Sequence, residues 1–99
     1  MAYVCVLSID LHFPDNGSLK GKRRELVSLK AQLQRRFGAA VAETDHHELW
    51  QRAQLTAALV ARDPAGVADR ASDIERYLWG MFPDGVRVET RLISSEDLL

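Results

Sequence analysis

The chain of 99 residues contains one cysteine, three prolines, two tryptophans and no long apolar run. A lone Cys5 admits no intrachain disulfide. With a start that shows neither a basic leader segment nor a cleavage site, it sets the expectation of a reducing, cytoplasmic setting. No apolar stretch approaches the roughly 18 residues that cross a bilayer as a helix, so no membrane span is expected. Internal repeats and low-complexity tracts are missing, which excludes solenoids and tail-like segments. The formal net charge is only −1, so the protein is not a uniformly basic coat for nucleic acid.

Apolar residues make up 46% and charged residues 27%, the balance of an ordinary globular chain. This length accommodates a single domain, residues 1–99, with one core.

The opening "AYVCVLSIDLHF" alternates with period two and is expected to form a strand. Cys5, Leu7, Ile9 and Leu11 face one side of it, and Val4, Val6, Ser8, Asp10 and His12 the other. "PDNGS" has turn chemistry, and Ser18 is a candidate N-cap for a helix reaching Phe37 and stopped by Gly38. Leu19, Leu26, Leu29, Leu33 and Phe37 form the apolar stripe of that helix. A short strand "AAVAET", a turn "DHHE" and a long strand "LWQRAQLTAALVAR" follow. Asp63-Pro64 then opens a second helix with a Val67, Ala71, Ile74, Leu78 and Met81 stripe. "PDG" leads into a last strand with Val86, Val88 and Leu92 inward.

The order β-α-β-β-α-β, with one apolar stripe per helix, predicts an α+β ferredoxin-like fold. Four antiparallel strands would carry both helices on one face. Right-handed crossovers put the first and third strands in the middle. The other sheet face then has an apolar end, where Val4 and Val6 approach Ala58 and Val60. Its polar end is expected to pair Asp10 with Arg52 and to bring His12 near Trp50. An uncovered apolar patch is a candidate partner surface, including for a second copy of the chain.

Charge is distributed unevenly. Residues 18 to 38, "SLKGKRRELVSLKAQLQRRFG", hold seven cations against one acid, and the remainder holds six cations against thirteen acids. Lys20, Lys22, Arg23 and Arg24 lie at the start of the helix, where the macrodipole favours acids and each cation costs roughly 0.3–1 kcal/mol at low salt. At 100° per residue, Lys20, Arg23, Arg24, Lys30 and Arg35 fall within roughly 140° on one flank of the stripe. Lys22 and Arg36 are expected on the other flank. Unpaired backbone N–H groups at a helix start, with Gly21 allowing close approach, would suit an anion. A nucleic-acid backbone is the simplest partner for many spread cations.

The segment "SLKGKRRELVSLKAQLQRRFGAAVAETDHHELWQRAQLTAALVARD" resembles the YlxP-like family, a bacterial group of unestablished molecular function. The resemblance rests on Ser18, Leu19, Lys20, Lys22 and Arg23, on Arg36 and Phe37, on Val41 and Glu43, and on Trp50, Gln51, Arg52 and Ala53. It implies a ferredoxin-like fold. The family's genes tend to lie among those of translation initiation and ribosome maturation, which implies RNA or ribosome association. Gly21 departs from the family pattern, which more often has an acid there.

Other chemistries have weaker signatures. "ETDHHE" contains metal-ligating residue types, but adjacent His46 and His47 on a turn match no tetrahedral spacing, and no metal or cofactor is expected. The glycine-rich loop ending in Arg of acylphosphatases, which share this topology, is missing. No Ser-His-Asp or Cys-His set is evident, so no enzyme is expected. The central-strand aromatics of RRM proteins are replaced by Val4, Val6, Ser8, Gln54 and Thr56. The sequence therefore points to a non-catalytic accessory protein that contacts ribosomal or other structured RNA. Lys20, Lys22, Arg23, Arg24, Lys30 and Arg35 would touch the backbone, with Trp50 and Arg52 as a secondary surface. The alternative is a protein-interaction module or homodimer using Val4, Val6, Ala58 and Val60 or an edge strand.

Overall fold

Period-two and period-3.6 patterning both carry through to the observed elements. The computed structural model describes residues 1–98 and contains β1 (Tyr3–His12), α1 (Leu19–Phe37), β2 (Ala40–Asp45), β3 (Arg52–Ala61), α2 (Pro64–Met81), β4 (Val86–Ser94) and a single turn α3 (Ser95–Leu98). The four strands form one antiparallel sheet in the order β2-β3-β1-β4, with β1 and β3 central as the crossover rule requires. This is the ferredoxin-like fold.

Local chemistry sets the helix ends. The Ser18 side chain accepts a hydrogen bond from the Gly21 N–H, and the Asp63 side chain accepts one from Gly66 N–H with Pro64 just inside the helix. α1 ends where Gly38 adopts a left-handed conformation (φ 67°). Its N–H donates to Gln34 O, the single bond of an αL stop, and the Ala39 N–H donates to Leu33 O.

One sheet face is dry. Cys5, Leu7, Ile9 and Leu11 of β1 and Ala53, Leu55, Ala57 and Leu59 of β3 are buried beneath Leu26, Leu29 and Leu33 of α1 and Val67, Ala71, Ile74 and Leu78 of α2. Phe13 and Phe82 close one end in an edge-to-face contact, ring centroids 5.8 Å apart. The opposite face has no helix on it.

Three expectations need correction. β3 begins at Arg52, and Leu49 and Trp50 lie outside it on an exposed connection. Leu92 faces the helix side, opposite Cys5, but stands on the outer edge strand and is half exposed. Met81 ends α2 and is exposed as well. Replacing Leu55 with Ala should lower stability by about 2–5 kcal/mol. The same truncation at Leu92 should cost well under half of that in equilibrium urea unfolding.

Candidate functional site

The largest departure from sequence expectation is Lys22. Its side chain is 1% exposed and lies on the stripe of Leu26, Leu29 and Leu33. Nζ donates to the backbone oxygens of His46 (2.7 Å), Arg52 (3.2 Å) and His47 (3.3 Å). Glu43 Oε2 is 3.4 Å away; buried and without a hydrogen bond of its own, it is held there by charge. Lys22 is therefore a structural cation inside the protein and has no surface to offer a phosphate.

The geometry around it explains the irregular β2–β3 connection. β2 bulges between Glu43 and Asp45, and His46 takes a left-handed conformation (φ 64°) supported by its N–H donating to Asp45 Oδ1. That turn aims carbonyls inward at the ammonium. An ammonium has three donors, and three carbonyls satisfy them.

The expected phosphate cradle at Gly21 is already filled. A Cβ there would collide with Asn16 Oδ1, so the glycine makes room for that amide and not for a ligand. Asn16 Nδ2 donates to Ser18 O and to Trp50 O, and Gln51 Nε2 donates to Pro14 O and Asn16 O. The helix start is capped, and the 49–52 segment is tied to it.

The remaining cations of α1 face outward. Lys20, Arg23, Arg24 and Arg35 are exposed and Lys30 is half-buried. Among the described residues none of the five forms an ion pair, whereas Arg36 lies 4.9 Å above the Tyr77 ring of α2. Helical angles put the five opposite the buried stripe, around the exposed Val27. From Lys20 to Arg35 the row spans about 22 Å at 1.5 Å per residue.

Trp50 (54% exposed) and the exposed Arg52 flank the same end of the molecule as the α1 start. The expected Asp10–Arg52 pairing is corrected by the register, two residues along. Arg52 opposes His12, and Asp10 lies between Gln54 and Arg87, accepting a 3.5 Å bond from Gln54 Nε2. At the apolar end the expectation holds: Val4 opposes Val60 and Val6 opposes Ala58, with Ile93 alongside Val4. Val60 is 61% exposed.

Among the described residues no three His, Cys, Asp or Glu side chains gather closely enough to hold a metal ion. No described helix is long and apolar enough to cross a membrane. Burial pushes the Cys5 thiol above its ordinary pKa, and the negative charge of Glu75 adds to the effect. It is a core side chain held in its protonated form.

These roles make opposite stability predictions for neighbouring cations. Lys22→Met should cost about 3–5 kcal/mol, because Glu43 and three inward carbonyls lose their partner. Arg23→Gln should stay within about 0.5 kcal/mol. Urea unfolding of the two variants checks this.

Solved structures of similar shape establish the fold alone. The de novo designed protein Foldit4 covers 95% of this chain and 98% of its own length, with TM-score 0.65 at 14% identity. A dimeric ferredoxin-like protein from an uncultured marine organism covers 93% and 92%, with TM-score 0.50 at 8% identity. Ribosomal protein S6 of the Thermotoga maritima 30S subunit covers 97% and 91% at 11% identity, but its TM-score of 0.49 lends no weight to RNA binding. No curated protein matches the chain. A family model spans residues 4–91, nearly the whole sheet and both long helices, and the chain thus belongs to the family described as "Protein of unknown function (DUF503)".

Proposed function

We propose that this member of the family, whose sequence resembles the YlxP-like group, is a cytoplasmic, non-catalytic accessory protein that holds the phosphate backbone of structured RNA on the outward face of α1. The observation that carries the reading is the row of Lys20, Arg23, Arg24, Lys30 and Arg35, which is free of ion pairs among the described residues while the rest of the chain is acidic. Three of these cations stand near the helix start, where they oppose the macrodipole, so helix stability does not account for them. An extended row on one face suits a repeating anion better than a single small one. The gene neighbourhood of YlxP-like sequences favours ribosomal RNA as that polyanion. The one thiol, Cys5, is a buried core side chain and offers no thiolate at the surface.

Affinity for ribosomal RNA fragments should fall linearly in log affinity against log salt. A Lys20→Gln, Arg23→Gln, Arg24→Gln, Arg35→Gln variant, with Lys22 left in place to keep the fold, should show a slope shallower by roughly 0.7–0.9 per lost contact. Equal slopes by fluorescence anisotropy would remove α1 from the interface.

A second reading, self-association, is favoured by the exposed Val60 beside Val4, Val6 and Ala58 on the open sheet face. It predicts a dimer in sedimentation velocity that Val6→Glu converts to monomer; a monomer at all concentrations contradicts it.

A further inference from the structure

The polar end of the open sheet face contains a groove in two adjoining lobes that share His12 and Arg52. One lobe, of about 290 Å³, lies between the ends of β1 and β4 and is bordered by Asp10, Asp84 and Arg87; the other, about 480 Å³, is bordered by Trp50. Volumes of this order hold small organic ligands.

The walls are fixed by backbone bonds. His12 N–H donates to Gly85 O and Phe13 N–H to Gln51 O, each at 2.8 Å, which holds the turn before β4 and the 49–52 segment against the end of β1. A Cβ on residue 85 would lie 2.7 Å from His12 O, so only glycine allows this approach. On the far side, Lys22 and Asn16 anchor the backbone of residues 46–52. An exposed indole is thus presented on a rigid segment with its ring in contact with solvent.

The chemistry of the lining selects a ligand class. Arg52 has no side-chain partner among the described residues, and Arg87 makes only an exposed 3.4 Å pair with Glu89. Two guanidiniums are therefore available to a phosphate. Asp10 and Asp84 are acceptors only, which suits amino and hydroxyl donors, and they balance the two arginines, so a bare anion gains little. Trp50 and His12 border one lobe with flat rings on which a base stacks. A phosphate, hydrogen-bond donors and an aromatic face occur together in a nucleotide. We infer that this groove binds a single unpaired 5′-nucleotide, its base against Trp50 and its phosphate on Arg52 and Arg87. The inference rests on the RNA reading only for the source of the nucleotide, an RNA chain or a free monophosphate.

The test titrates nucleoside monophosphates, inorganic phosphate and a short single-stranded RNA into isotope-labelled protein followed by NMR. The Trp79 indole on α2 serves as an internal control, and Trp50→Ala and Arg52→Gln run alongside. The monophosphates should shift the Trp50 indole and the amides of His12, Arg52 and Gly85, but not Trp79. Trp50→Ala should weaken binding roughly 5- to 150-fold, and Arg52→Gln by about tenfold or more. Thermal melts identical to the native protein would show that both variants fold. If the short RNA binds more tightly than the monophosphate, and loses that gain in a Lys20→Gln, Arg23→Gln, Arg24→Gln variant, the nucleotide belongs to an RNA chain. Equal affinity for the two assigns a free nucleotide. Failure of the helix surface alone would leave the monophosphate titration intact. The inference is overturned if phosphate alone reproduces the shifts, or if neither nucleotide nor RNA moves the Trp50 signal at millimolar concentration.

Discussion

Much of this molecule hangs on one ammonium group. Lys22 comes from the first turn of α1, crosses into the interior and collects three backbone carbonyls and a carboxylate from the β2–β3 connection. Removing a charge from water costs several kcal/mol, and placement near a helix start, where the macrodipole opposes it, adds up to about 1 kcal/mol. Four oxygens offset both. In return the connection between β2 and β3 is held against the helix, including a left-handed His46 that the chain would otherwise avoid. A leucine in that place would fill the volume but leave the inward carbonyls without donors.

That constraint separates the cations of α1 into two kinds. Lys22 and Arg36 spend their charge on the protein, one on carbonyls and the other on the Tyr77 ring. Lys20, Arg23, Arg24, Lys30 and Arg35 do not, and they occupy the outward side. The same Lys22 contacts, with Asn16 bonded to Trp50 O, carry Trp50 and Arg52 to the end of the sheet next to the start of that helix. A cationic row and an aromatic groove thus meet at one end of the fold. Backbone contacts and base contacts serve different purposes in nucleic-acid recognition, the first for position and the second for discrimination.

The fold was legible because its signals are local. Alternation in β1 and β3, the caps Ser18, Gly38 and Asp63, and the two apolar stripes each depend on neighbours a few residues away. The candidate site was legible only in part. Lys22 stands four, seven and eleven residues before Leu26, Leu29 and Leu33, so helical periodicity carried its burial, but its charge suggested the surface. The β2 bulge and the turn at His46 go with long-range bonds to that lysine, which no local pattern announces. The β1–β3 ladder runs without a shift from Val4–Val60 to His12–Arg52, so the register of the apolar end itself puts Asp10 opposite Gln54. Gly21 suggested an open cradle; only the fold shows that Asn16 fills it.

On the proposed reading, nucleic acid meets this protein along the outward face of α1 and at Trp50. Ultraviolet crosslinking of the native protein to structured ribosomal RNA, with the crosslinked peptides mapped by mass spectrometry, tests it most directly. Crosslinks are expected only within residues 20–36 and 49–52 and at the groove residues His12 and 84–87. Crosslinks on α2 or the apolar end of the sheet, or none at low salt, would contradict it.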